Sequence, residues 1–256
     1  MTLKSKSILV LTTALLGTAV MAQTAAPAAP AEPESTLSFN IGAVSDYRFR
    51  GIAQTSFKPA LQAGADFAHK SGLYVGIWGS NVSWIKDYVG ATDGSTEIDV
   101  YGGYKGEIAK DFTFDIGVIT YQYPGNTADK VLVNANTTEV YGALTFGIVT
   151  AKYSQSTTNF IANPDSKNSA YFELAAAFDL GNGFSLTPHV GRQTIPNQNG
   201  AGDYTDYALT LGKDFGNGLT ASLSAISTDA KDGFYKVGTF DNLGKNALTV
   251  GVKYTF

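Results

Sequence analysis

The C-terminal stretch Ala247–Phe256 constrains the fold more than any other part of the chain. Leu248, Val250, Val252, Tyr254 and Phe256 alternate with Thr249, Gly251, Lys253 and Thr255. Side chains of a strand point alternately to opposite faces, so this segment is apolar on one side and small or polar on the other. In a sandwich surrounded by water the apolar side is the core. In a barrel inserted in a membrane it faces lipid, and the polar side lines the lumen.

The rest of the chain decides between these readings. Alternation recurs at Leu37–Ala43, Leu61–Phe67, Leu73–Ile77, Ile98–Tyr104, Phe112–Val118, Val140–Phe146, Val149–Tyr153, Phe172–Phe178, Phe184–Val190, Tyr207–Leu211 and Leu219–Ala225. With the terminal segment these make twelve strands, ten or fourteen being the alternatives, and no helical period competes over comparable lengths. Short turns at Lys70–Gly72, Glu107–Asp111, Gly147, Gly181–Gly183 and Gly216–Gly218 alternate with long polar connections near 49–58, 81–96, 124–137, 156–169, 194–204 and 228–246. Greek-key sandwiches lack that rhythm. It predicts an all-β, antiparallel, up-and-down transmembrane β-barrel with short periplasmic turns, long external loops and both termini on the turn side. Pro188 falls inside a predicted strand, where the missing donor predicts a bulge or local irregularity.

The N-terminal segment agrees. Lys4 and Lys6 precede an apolar run from Ile8 to Val20, and small residues surround Ala22, so residues 1–22 read as a secretory signal peptide. The Ala- and Pro-rich residues 23–35 read as a flexible leader, and 36–256 as the barrel. Beyond the signal the longest apolar run is Leu174–Phe178, too short for a transmembrane helix. Without Lys4 and Lys6, 16 basic residues face 22 acidic ones, a net charge of −6 that argues against a nucleic-acid partner. There is no cysteine, so thiol chemistry and disulfide staples are excluded.

Ser45-Asp-Tyr-Arg-Phe-Arg-Gly-Ile-Ala-Gln-Thr55 with Pro59-Ala-Leu-Gln62, and Ser71-Gly-Leu-Tyr-Val-Gly-Ile-Trp-Gly-Ser-Asn-Val82, resemble two signatures of the TorF-like porin family of Gram-negative outer membranes. Asp203–Tyr207 and Lys213–Phe215 are similar to weaker stretches of it. The resemblance covers most of residues 36–256 and implies an outer-membrane barrel with a channel role, without supplying a solute. The terminal Phe256 also resembles the end signal read by the barrel-assembly machinery.

On this reading Asp46, Arg48, Arg50, Glu97, Asp99, Asp115, Glu139, Glu173 and Lys253 are pore-lining. Arg48 and Arg50 sit two apart, on the inward face of a continuing first strand. They serve either as an electrostatic constriction or as a salt-bridge ladder to Glu97, Asp99 or Asp115. Carboxylates outnumber cations in this set, which predicts a mild cation preference or little selectivity for ions or small polar solutes in a narrow lumen. Trp78, Trp84, Tyr121 and Tyr123 near the loop-side strand ends read as an interfacial girdle. Two histidines limit hydrolytic chemistry: His69 lies beside a turn, and His189 has Ser185 four strand positions away, about 13 Å. No catalytic residue, cofactor or metal is assigned, since Asp93–Glu97 and Asn163–Asn168 lack the spacing of a calcium loop. A closed structural or adhesive barrel and an outer-membrane lipid hydrolase are the competing functions. Whether a long loop such as 81–96 plugs the lumen stays open. The expected partners are outer-membrane lipid, the assembly machinery and the solute; a homo-oligomer is compatible with the sequence.

Overall fold

A computed structural model of the chain describes residues 33–256. The predicted signal segment 1–22 and leader residues 23–32 lie outside the described residues. Twelve wall strands follow in chain order: β1 (Ser35–Val44), β2 (Ala60–His69), β3 (Leu73–Asn81), β4 (Thr96–Ala109), β5 (Phe112–Gln122), β6 (Thr137–Phe146), β7 (Val149–Ser156), β8 (Ala170–Ala176, continued by Phe178–Gly181), β9 (Phe184–Thr194), β10 (Tyr204–Asp214), β11 (Leu219–Thr228) and β12 (Ala247–Thr255). Each pairs antiparallel with the next, and β12 pairs with β1, closing the sheet as the alternation predicts. At the seam Ile41 faces Tyr254 and Ala43 faces Val252. Phe39 and Phe256 exchange backbone hydrogen bonds of 2.8 and 2.9 Å there, and their rings stack at 5.8 Å. Among the described residues no helix is long and apolar enough to cross a membrane.

The short connections are tight turns with residues suited to them. Asn182 and Gly183 both have positive φ, 52° and 76°, as a two-residue hairpin turn between twisted strands requires. The expected irregularity at Pro188 appears on the neighbouring strand: β8 breaks at Ala177, across from Thr187 and Pro188. β9 keeps an unbroken register with β10 through Pro188 and Leu209.

Side-chain parity then divides the wall into two surfaces. Leu37, Ile41, Leu61, Val75, Ile116, Leu144, Leu174, Leu209, Leu223 and Val250 all point outward and are exposed. A continuous apolar exterior of this kind suits hydrocarbon rather than water. Toward the turn end the exterior becomes aromatic, with Phe39, Phe112, Phe146, Phe184, Phe215, Tyr254 and Phe256. Inside, tyrosines lie across glycines of neighbouring strands. A Cβ on Gly103 would come within 2.5 Å of Tyr74 Oη, one on Gly117 within 2.5 Å of Tyr141 Oη, and one on Gly191 within 1.9 Å of Tyr171 Oη. The missing side chains are therefore the space into which the rings fold.

The outer face supplies a stability test. Leu223→Arg, mid-strand and outward on β11, should destabilise the barrel in phospholipid vesicles by about 2–4 kcal/mol if it sits near the bilayer midplane. Ser224→Arg, its inward neighbour, should cost much less. Urea-induced unfolding of the two variants measures the difference.

Candidate functional site

After Val44 the chain leaves the wall, and residues 45–59 fold back into the lumen. Arg48–Phe49 and Ile52–Ala53 form a small antiparallel inner hairpin, with Arg48 facing Ala53 and Phe49 facing Ile52. Its tip, Arg50–Gly51, has φ of 49° and 80°. Glycine is needed at the second position, for its backbone and for space. A Cβ there would lie 2.6 Å from Thr228 Cγ2 and 2.9 Å from Asp206 Cβ, so the tip touches the β10–β11 wall.

The two arginines hold the hairpin in place. Arg50 donates through Nη2 and Nη1 to the two carboxylate oxygens of Glu139 at 2.6 and 3.0 Å, and through Nη1 to Gln193 Oε1 at 2.9 Å. Tyr121 Oη donates to the same Glu139 at 3.1 Å. The guanidinium lies 4.3 Å from the Tyr171 ring centroid and 4.7 Å from that of Phe49. Both members of the pair are buried, so this is a forked, water-excluded ion pair. Arg48 donates to Asp46 at 2.7 Å and to the carbonyls of Gly51, Leu243 and Lys245 at 2.9, 3.1 and 2.9 Å. It thereby ties the hairpin to the last long connection. Burial raises the Asp46 carboxyl above its ordinary value, with the Arg48 guanidinium opposing the shift. Burial also pushes the Tyr47 phenol well up, and the carboxylates of Glu97 and Asp99 add to this.

These positions correct the expectation that Asp46, Arg48 and Arg50 continue the first wall strand with a shared inward face. β1 ends at Val44, and the three residues belong to a segment inside the barrel. Arg50 pairs with Glu139 and Arg48 with Asp46, not with Glu97, Asp99 or Asp115.

The wall carboxylates do face inward, at two levels. Glu97, Asp99, Glu139 and Glu173 are buried in the loop-side half around the hairpin. Asp115 and Lys253 lie in the turn-side half, where the inward residues are only partly buried; Asp115 accepts a 2.6 Å hydrogen bond from Tyr74. The lumen is therefore a polar vestibule at the turn end that meets a filled section. At their boundary a cavity of about 20 Å³ remains, lined by Tyr47, Trp78, Asp99, Tyr101, Tyr121 and Lys152 among others.

Lys152, Tyr171 and Gln193 join the site without having been singled out from sequence, together with Asp206, which the alternation places on the polar face. All have inward parity, which was available, but their partners depend on register. Lys152 lies directly across from Glu173 in the β7–β8 pairing. His189 sits 3.5 Å from Glu173 and 3.0 Å from both Asp206 and Tyr171 Oη. Tyr171 in turn donates to Asp206 at 2.9 Å. The imidazole is thus held between carboxylates, and among the described hydrogen bonds none joins it to a serine.

The long connections close over the hairpin. Short helices α1 (Trp84–Asp87) and α2 (Asp232–Tyr235) bring Trp84, Ile85 and Tyr235 into one apolar cluster with Tyr47, Phe49, Tyr123, Phe160, Ile195, Tyr204 and Leu243. Trp84 packs edge-on against Tyr123 at 5.4 Å, and Tyr47 against Trp78 at 5.5 Å. The girdle expected from Trp78, Trp84, Tyr121 and Tyr123 is overturned here: all four are buried in the interior, where hairpin and cap offer them aromatic partners. The 81–96 connection contributes to the cap, while the segment that fills the lumen is the 45–59 connection between β1 and β2.

A family model described as a bacterial protein of unknown function (Gcw_chp) matches residues 27–256. No curated relative matches the chain. Among solved structures the barrel is similar to the KdgM porin in complex with disordered oligogalacturonate, with a TM-score of 0.53 and 7% identity over 87% of this chain and 99% of that one. It is also similar to the NanC porin, with a TM-score of 0.53 and 11% identity over 86% and 99%. At such identities the likeness is one of fold.

The ion pair at the tip generates a quantitative expectation. Arg50→Ala and Glu139→Ala should each cost about 3–5 kcal/mol, because each leaves the other charge buried and unpaired. The double variant should cost less than the sum. A double-mutant cycle by urea unfolding reads this coupling.

Proposed function

We propose that this chain, which belongs to the Gcw_chp family, is an outer-membrane porin-like channel for ions or small polar solutes, gated by its inner hairpin. The observation that carries this reading is a charged, partly solvated lumen inside a closed wall whose exterior is apolar. The resemblance of Ser45–Thr55 and Ser71–Val82 to TorF-like porins supports it, as does the signal-like character of residues 1–22. The membrane would be the outer membrane of a Gram-negative cell, with the short turns and termini on the periplasmic side. Phe256 would serve the assembly machinery as its recognition end, and self-association of barrels through the apolar exterior fits the same picture.

Selectivity follows from the wall. Asp66, Glu97, Asp99, Asp115, Glu139, Glu173 and Asp206 point inward against Lys105, Lys152 and Lys253. An acid-rich bore favours cations. Oligogalacturonate, with which the KdgM porin is described, is a polyanion, and it would be repelled by such a lining. No catalytic role is assigned, since His189 is engaged with Glu173, Asp206 and Tyr171. His69 Nδ1 lies 2.8 Å from Ser71 Oγ, but that pair is exposed at a turn, with no carboxylate among its described hydrogen bonds to orient the ring.

A closed structural barrel is the second reading, favoured by the hairpin and cap that fill the loop-side half. Planar bilayer recording separates the two. Wild-type protein should show small or infrequent conductance steps, and a variant with residues 46–58 replaced by a short Gly-Ser link should show large, steady ones. Reversal potentials in a potassium chloride gradient should indicate cation preference. Silence from the shortened variant, with the barrel folded, refutes the channel and leaves the structural role.

A further inference from the structure

The pocket that receives Arg50 is built by the barrel wall and not by the hairpin. Tyr121 stands on β5, Glu139 on β6, Tyr171 on β8 and Gln193 on β9, and Phe160 comes from the 156–169 connection, its ring centroid 5.7 Å from the guanidinium. Of the described contacts, only Phe49 belongs to the hairpin. The wall also orients these groups without help from Arg50. Gln193 donates through Nε2 to the carbonyls of Ala170 and Thr194 at 3.1 and 3.2 Å, which turns its Oε1 toward the guanidinium. Tyr171 is folded over Gly191 and donates to Asp206 at 2.9 Å, so its ring face is fixed. Tyr121 donates to Glu139 from the neighbouring strand. Glu139 and Gln193 are fully buried.

What this pocket grips is the forked end of the guanidinium. Nη1 and Nη2 make the bonds to Glu139 and Gln193, whereas the Nε–H of Arg50 is buried without a partner. A free guanidinium with one substituent presents the same two nitrogens in the same plane. An ammonium is a compact point charge and lacks that fork. The aromatic faces of Tyr171 and Phe160 complement either cation, so the fork is what discriminates. With Arg50 withdrawn, Glu139 is left buried without its counter-ion, and a charge so placed calls for a replacement. Its neighbours across the wall are Ile119 and Ser156, neither of which carries a charge. The adjoining 20 Å³ cavity is a different place. In its lining Arg50 and Lys152 balance Asp99 and Glu173, and exchanging one guanidinium for another leaves that balance unchanged.

We infer that Tyr121, Glu139, Phe160, Tyr171 and Gln193 form a lumenal recognition site for small monosubstituted guanidinium cations, which Arg50 fills as an internal stand-in while the hairpin is seated. The inference deepens the gated, cation-preferring reading of the lumen and rests on it in one respect: the hairpin leaves the pocket before a solute enters. The hairpin is then an autoinhibitory segment that mimics the solute it excludes. The Arg50–Glu139 pair both holds the plug and marks the chemistry of that solute.

Calorimetric titration of the purified barrel in detergent with methylguanidinium chloride tests the site. Arg50→Ala should bind the probe, and wild-type protein, with its pocket filled, should not. The second bond of the fork should be worth about tenfold in affinity over methylammonium. Adding Glu139→Gln to Arg50→Ala should abolish binding of both probes. Arg50→Ala leaves a buried carboxylate unpaired, so the variant with residues 46–58 replaced by a Gly-Ser link supplies a second empty pocket. Heat-modified gel mobility checks that each is folded. Equal affinity for the two probes, equal binding by the wild type, or binding that persists with Glu139→Gln overturns the site, as does no binding to either empty pocket. Bilayer recording of the shortened variant separates this result from the channel reading. Potassium currents without methylguanidinium binding reject the site and leave the channel; binding to a silent barrel does the reverse.

Discussion

In hydrocarbon every backbone N–H and C=O must find its partner within the protein, because no water is there to accept the remainder. This requirement accounts for most of what the chain does. It forces the twelve strands into a ring with no free edge, and makes the β1–β12 seam as necessary as any hairpin. It also explains why the apolar residues are scattered at every second position and never form a long run. The outer face needs only a film of hydrocarbon side chains, since the backbone is already satisfied across the wall.

Once the wall is closed, its inward side becomes a second problem in burial. A ring of twelve strands leaves an interior that side chains alone fill poorly, and this protein fills half of it with its own backbone. The inner hairpin carries two guanidinium groups into that space, which is tolerable because Glu139, Gln193, Asp46 and three carbonyls receive them. The result is a plug whose placement depends on charge pairing at one end and on contact with the last long connection at the other. A plug held this way is specific in position, since displacement leaves buried charges without partners.

The wall was legible in the sequence and the interior only partly so. Strand number, loop rhythm and the inward parity of Glu97, Asp99, Glu139 and Glu173 followed from a two-residue period that lipid on one side and water on the other impose together. The hairpin did not, because Asp46, Arg48 and Arg50 keep the parity of the preceding strand and so imitate its continuation. What distinguishes them is the left-handed turn at Arg50–Gly51 and partners 89 to 197 residues away, for which there is no local signal. Trp84 and Tyr123 illustrate the same limit. An aromatic ring at a strand end satisfies a membrane interface and an apolar cap equally well, and tertiary packing chose the cap.

The seam carries a kinetic consequence. Phe39 and Phe256 belong to segments at opposite ends of the described chain, so their contact closes the longest loop in the molecule and is entropically the most delayed. Until it forms, the sheet is an open ribbon with two unsatisfied borders, each able to recruit a foreign strand. The interval between making the last hairpin and joining the first strand is therefore when this polypeptide is most vulnerable to misassociation, and an escort that shields either border would protect it most.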